Sequence, residues 1–147
     1  MIQWVKKSFA DLTKEELYDI LRLRQEIFVV EQNCPYLDND GLDFSCEHLY
    51  GMSDGMIVLY ARIIPKGVDY PDSWSIGRVI TRMEYRGRGW GGALIEKCLE
   101  IIGQDTVTIH AQSYLERFYN KFGFETIGAE YDLDGIPHKE MRRQVNS

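Results

Sequence analysis

Cysteine is scarce: three residues in 147, at positions 34, 46 and 98. An odd number at irregular spacing argues against a disulfide framework and for a reducing, cytoplasmic setting. No C-x-x-C pair is present, so no zinc-type ligand set is expected, and no metal. No apolar run approaches the roughly 20 residues that span a bilayer. No apolar segment follows the lysines of residues 1–7, so neither a signal peptide nor a membrane partner is expected. Basic charge is the minority sign, 17 Lys and Arg against 23 Asp and Glu, for a net charge of −6. That balance disfavours nucleic acid as a partner. Repeats, low-complexity tracts and linkers are absent. What is present is a chain 44% hydrophobic. This excludes a disordered protein and predicts one domain, 1–147, with a single sizeable core.

Glycine is concentrated where the other residues thin out. Arg86-Gly87-Arg88-Gly89-Trp90-Gly91-Gly92 holds four glycines in seven residues. Apolar residues at 94, 95, 98, 99 and 102 follow at helical spacing, and a strand pattern over 73–81 precedes. Strand, glycine loop, helix is an arrangement suited to phosphate. Glycine permits positive φ and close approach, and the first helical amides are unpaired at the positive end of the helix dipole. A tight turn with packing glycines is the plain alternative, but it leaves the flanking arginines unexplained. A Walker A loop would need a Gly-Lys-Ser/Thr ending, and there is no lysine. Gly87, Gly89 and Gly92 spell G-x-G-x-x-G, yet the next strand, over 106–111, ends at Gln112 instead of the acid a dinucleotide site requires. A third pattern, R/Q-x-x-G-x-G/A, is met by Arg86, Gly89 and Gly91. It resembles the acyl-CoA-binding motif of the GNAT family of N-acetyltransferases.

Taken in order, residues 2–8 read as a strand. Thr13 and Glu16 form a capping-box pattern, and Leu17, Ile20, Leu21, Ile27 and Phe28 share one face of a helix running to about residue 32. Residues 33–47 contain four acids (Asp38, Asp40, Asp43 and Glu47) and no Lys or Arg. An EF-hand template fails there because Tyr36 stands at its first ligand position. The remaining readings are a solvated loop or an acidic rim that attracts a cationic substrate. Asp54-Gly55 predicts a hairpin between strands over 48–53 and 56–65. Gly103 stops the helix after the glycine loop. Ser113 and Glu116 suggest a second capping box, opening a helix with Leu115, Phe118, Tyr119 and Phe122 on one face. Asp134-Gly135 joins the last two strands.

The run from Arg117 to Phe124 resembles a second GNAT signature, Tyr-x-x-x-Gly-Phe, through Tyr119, Gly123 and Phe124. The 23–32 stretch, Cys34-Pro35-Tyr36, Asp40-Gly41 and Asp134-Gly135-Ile136-Pro137-His138 are similar to the ElaA-like subgroup. The resemblance spans nearly the whole chain. It implies an α/β fold: a mixed, mostly antiparallel sheet flanked by helices, splayed between its fourth and fifth strands, in the order β-α-β-β-β-α-β-α-β-β. It also implies acetyl-CoA as acetyl donor, bound by Arg86, Gly87, Arg88, Gly89, Trp90, Gly91 and Gly92. Backbone amides near Val79, Ile80 and Thr81 would serve the pantetheine arm and acetyl group. Gln112 stands where many members carry an asparagine that contacts the cofactor. Tyr119 would be the acid, since a phenol with pKa about 10 is protonated at neutral pH. Glu31, Glu47, His48 and His138 are candidates for the base or the substrate site, with His138 the subgroup's choice. His110 reads as core or surface. The expected reaction is direct attack of a primary amine on the thioester within a ternary complex. The alternative is a non-catalytic acyl-CoA-binding module. A small amine, a peptide amine and a lysine side chain remain open as acceptors, and a homodimer is compatible with the family.

Overall fold

The computed structural model describes residues 1–145. Four strands, β1 (Gln3–Ser8), β2 (Glu47–Ser53), β3 (Met56–Ile64) and β4 (Ser75–Thr81), form an antiparallel sheet in that order. A second sheet contains β5 (Val107–Gln112), β6 (Glu125–Leu133) and β7 (Ile136–Arg143), with β7 in the middle. Both predicted hairpins form. Asp54 and Gly55 have φ of 53° and 76°, and Asp134 and Gly135 have 53° and 80°. Two successive positive values are the type I′ geometry that matches strand twist.

The helices bury the sheets from opposite sides. α1 (Lys14–Arg24) starts at the expected capping box: Glu16 N donates to Thr13 Oγ1 at 3.0 Å, and Thr13 N donates to Glu16 Oε1 at 2.8 Å. The α-form ends at Arg24, earlier than the apolar periodicity suggests, and a π-helical segment, Gln25–Glu31, carries the chain on. Ile20, Leu23 and Ile27 pack with Tyr50, Tyr60 and Ile80 on one face of the first sheet. α2 (Trp90–Ile102) sends Leu94, Ile95 and Cys98 onto the opposite face, against Leu59, Ala61 and Ile63. Strand β3, covered on both faces, is buried along almost its whole length. That explains its nearly unbroken apolar run.

The predicted second capping box does not form. Ser113–Leu115 is a 3₁₀ turn, and the short α3 (Glu116–Asn120) has no side-chain cap. The Glu116 carboxylate is used elsewhere, by Thr126 and by Lys139 at 2.8 Å.

The acidic stretch is no open rim. Arg24, wholly buried, donates Nε to Asp38 at 2.8 Å and Nη1 to Asp43 at 2.7 Å. Arg62 donates to Asp40 at 2.8 Å, and Arg78 Nε to Asp38 at 2.7 Å. The three aspartates of the loop are thus matched by arginines from α1, β3 and β4. Burial pushes the Asp43 carboxyl up, but the Arg24 and Arg62 guanidiniums outweigh it and hold the group below its ordinary range. Among the described residues no helix is long and apolar enough to cross a membrane.

Candidate active site

The two sheets touch at one end only. Trp74 N donates to Thr106 O at 3.0 Å, and Thr108 N donates to Trp74 O at 2.8 Å, a single parallel bridge. Ser73 Oγ reinforces it, 2.8 Å from Thr108 Oγ1. Beyond Trp74, among the described residues, β4 and β5 share no backbone pairing. The strands diverge and leave a cleft of about 730 Å³.

β4 is shaped for that cleft. Tyr60 pairs with Ile80 and Arg62 with Gly77, so one residue of β3 opposes two of β4. This is a β-bulge, with Arg78 at φ 53°. Past the bulge, Arg82 N donates to Val58 O of β3 at 2.8 Å. Strand alternation then turns the amides of Thr81 and Val79 away from β3, toward the split. Val79, Ile80 and Thr81 all line the cleft.

The glycine loop delivers the start of α2 to the same opening. Gly87 and Gly89 have φ of 83° and 78°, values only glycine adopts without strain. Gly89 is the N-cap residue, and no side chain caps the helix or places an acid in its first turn. The first backbone bond back into the turn is Ala93 N to Gly89 O, at 3.3 Å. The amides of Trp90, Gly91 and Gly92 therefore precede the helical ladder, at the positive end of the dipole. A Cβ on Gly91 would meet Thr81 Oγ1 at 3.4 Å, and one on Gly92 would meet Phe122 at 3.4 Å. The loop is braced by stacking: Tyr85 and Trp90 lie 5.5 Å apart, with the Arg88 guanidinium over both rings at 4.7 and 5.3 Å.

Two buried titratable side chains line this space, each with a polar atom that has no partner among the described residues. Tyr119 is 7% exposed and lines the cleft, wedged edge-on against Phe118 and Phe124. Its hydroxyl has no hydrogen-bond partner among the described residues, and burial pushes its pKa above the ordinary phenol value. It is a neutral donor at physiological pH. His138, on β7, is also 7% exposed and lines the cleft. Its Nδ1 lies 2.7 Å from Ile136 O. A carbonyl only accepts, so Nδ1 carries a proton, and in the neutral tautomer that this fixes the lone pair is on Nε2. Cross-strand pairing sets His138 opposite Gln112, at the open end of β5.

Two sequence candidates meet unexpectedly. Arg86, expected at the cofactor, is paired with Glu31, expected at the substrate, by contacts of 3.0 and 3.1 Å, and it also donates Nε to Thr81 O at 2.9 Å. Glu47 and His48 are corrections. Neither lines the cleft. His48 is fully buried, with Nδ1 2.7 Å from the Tyr60 hydroxyl and Nε2 3.0 Å from Asp43 O, so both nitrogens are occupied in closing the acidic loop. Glu47 starts β2, opposite Ser8 and Ile63, in the interior of the first sheet and away from the split. Arg88 serves the loop's stacking and does not line the cleft either. Sequence reasoning missed His110. It lines the cleft, with Nε2 2.6 Å from the Tyr70 hydroxyl and Nδ1 2.5 Å from the Tyr131 hydroxyl. The signal was available: two residues before Gln112 on one strand, it shares that residue's face.

A model of the acetyltransferase (GNAT) domain matches residues 45–145. The chain belongs to the GNAT acetyltransferase family. It is similar to Protein ElaA of Escherichia coli, with 40% identity over 151 aligned positions, 99% of this chain and 98% of ElaA. The crystal structure of Escherichia coli ElaA superposes with a TM-score of 0.87 at 37% identity, covering 98% of this chain and 100% of that one. That of an acyl-CoA N-acyltransferase from Pseudomonas aeruginosa gives 0.92 at 39% identity, covering 97% and 99%. The splayed α/β sheet expected from the resemblance is the one observed. This GNAT protein is accordingly an N-acetyltransferase, of a family that uses acyl-CoA.

Proposed function

We propose that this acetyltransferase moves an acetyl group from acetyl-CoA to a primary amine by direct attack, with both substrates held in the cleft between β4 and β5. One observation carries the reading. An uncapped helix N-terminus and two buried side chains, whose Tyr119 hydroxyl and His138 Nε2 have no hydrogen-bond partner among the described residues, open into one cavity.

The residues present suit the donor substrate. The free amides of Trp90, Gly91 and Gly92 supply hydrogen bonds and positive potential for a pyrophosphate. The outward amides of Val79 and Thr81 offer donors to the pantetheine arm and to the thioester oxygen as it gains charge. Gln112 adds a side-chain amide from β5. Acetyl-CoA supplies the activated thioester.

His138 Nε2 takes a proton from the acceptor ammonium, freeing the nitrogen lone pair. A C–N bond forms at the acetyl carbon, the C–S bond breaks, and the newly bonded nitrogen releases its second proton to solvent to leave a neutral amide. The Tyr119 hydroxyl gives its proton to the departing sulfur and recovers one through solvent and His138. Glu31, fixed by Arg86 at the mouth, orders the loop on the acceptor side. We place the reaction in the cytoplasm, where the three cysteines, all free and buried, stay reduced.

The test is calorimetry and thiol release with wild type and Gly91→Glu. An acid in the first helical turn favours the helix, so the variant should keep or slightly raise its melting temperature. It should lose acetyl-CoA binding by more than roughly a hundredfold, since a carboxylate would compete for the amides that receive phosphate. Unchanged affinity in the folded variant would move the donor away from α2.

A further inference from the structure

The charges lining the cleft do not balance, and the imbalance lies on the acceptor side. Its three arginines, Arg62, Arg78 and Arg86, are each matched to a carboxylate of the protein. Two lining carboxylates, Asp69 and Asp134, have no cation within salt-bridge distance among the described residues. An acid with no partner in a substrate cleft favours a cation there.

Next to Asp69 the wall is aromatic and continuous. The His138 ring stacks on Tyr131, with centroids 6.0 Å apart and planes 28° apart. The Tyr131 hydroxyl reaches His110, and His110 stacks on Tyr70 at 5.5 Å and 25°. Glu140 stands opposite His110 in the β5–β7 register, on the same face of the sheet, and adds negative charge beside Tyr70 and Tyr131. Both His110 nitrogens are occupied by tyrosine hydroxyls. The ring is thereby held in place between Tyr70 and Tyr131, whose aromatic faces are what a cation prefers. The row begins at His138, which is more than nine-tenths buried with Nε2 unpartnered, and ends beside Asp69. It connects the reacting end of the cleft to an uncompensated negative charge.

We infer that the acceptor carries a second positive charge, as a small diamine does, and that Asp69 with the Tyr70–His110–Tyr131 wall holds its distal ammonium while the other amine reacts at His138. The inference rests on the transferase reading above. A monoamine of equal length would fill the same path but leave Asp69 unpaired. The cleft would then discriminate by KM, because the distal contact is made equally in the ground and transition states.

The experiment compares α,ω-diaminoalkanes of four to ten carbons, long enough at the upper end for a row of ring-to-ring steps of 6.0, 6.0 and 5.5 Å, with 1-aminoalkanes of equal length as acceptors, measuring acetyl-CoA-dependent thiol release by wild type, Asp69→Asn and Asp69→Lys. Asp69 is solvent-exposed on a loop, so both variants should fold as wild type does. The wild type should prefer the diamine by roughly tenfold in kcat/KM at low salt, the size expected of one half-screened ion pair with a cation–π contact. The preference should shrink as ionic strength rises. Asp69→Asn should reduce it severalfold through KM, leaving kcat and the monoamine kinetics unchanged, and Asp69→Lys should reverse it. Equal use of diamine and monoamine by wild type, or an unaltered preference in both variants, overturns the subsite while leaving the transferase intact. No thiol release with any of these amines, although acetyl-CoA binds, overturns this inference and leaves the transferase to an acceptor of another class.

Discussion

Tyr119 sits where packing and chemistry make different demands on one side chain. Its ring belongs to the core, with Phe118 at 5.1 Å and Phe124 at 5.8 Å, while its hydroxyl is left without a partner in the cleft. A ring serving only packing would be as well supplied by phenylalanine, and the hydroxyl, which bonds to no protein group among the described residues, opens to the cleft. Tyr119→Phe should therefore leave stability unchanged. If the hydroxyl protonates the leaving sulfur, kcat should fall by roughly 10²–10⁴, with KM for acetyl-CoA little altered. Chemical denaturation and single-turnover rates under saturating acceptor check the two halves separately. Normal turnover would leave Tyr119 as core alone. Tyr119 was legible in the sequence because it stands in a motif with fixed spacing to Gly123 and Phe124. Glu47 and His48 were misread because their type suits a base and nothing local reveals burial. Only the fold shows His48 saturated between Tyr60 and Asp43.

At the scale of elements, the glycine loop with α2 and the acidic loop with α1 show opposite degrees of legibility. Glycine positions and a 3.6-residue apolar rhythm are local, so the loop and helix were readable together with their preference for an anion. The acidic loop is closed by Arg24, Arg62 and Arg78, whose partners lie 14 to 40 residues away in the chain. Periodicity carries no information about such pairs. One trace of them was present: Arg24 falls on the face of Ile20, Leu23 and Ile27, where a charge requires a buried partner. Arg24→Met should destabilise the protein by about 3–5 kcal/mol, the cost of leaving Asp38 and Asp43 short of a buried counter-ion, as read by urea unfolding. The pH profile follows from the same pairs. Asp40 and Asp43 are held below the ordinary 3.8 by arginine, against the opposing effect of burial. Their contribution is complete above about pH 3.8 and is lost as pH falls toward the folded values. The variant should lose less stability on acidification, because it has less of this contribution to lose.

For the whole molecule, the decisive feature is a sheet that is continuous for one bridge, at Trp74 and Val107, and open thereafter. No residue pattern in β4 or β5 specifies that opening. It came from the resemblance, not from periodicity, since a splayed strand and a paired one share the same alternation. The consequence is that a single cavity receives the α2 amides from one side and His138, His110 and Gln112 from the other. On the proposed reading, donor and acceptor are then held together for reaction. Cys34 lies in the same cavity, 7% exposed, with its thiol 3.0 Å from Asp134 O. It is the side chain on which a two-step route through an acyl-enzyme would be built. Initial rates over a matrix of acetyl-CoA and amine concentrations separate the two routes most directly. Direct transfer in a ternary complex predicts intersecting double-reciprocal lines and no thiol released before amine is added. Parallel lines, with a burst of one thiol per enzyme in the absence of amine, would contradict it.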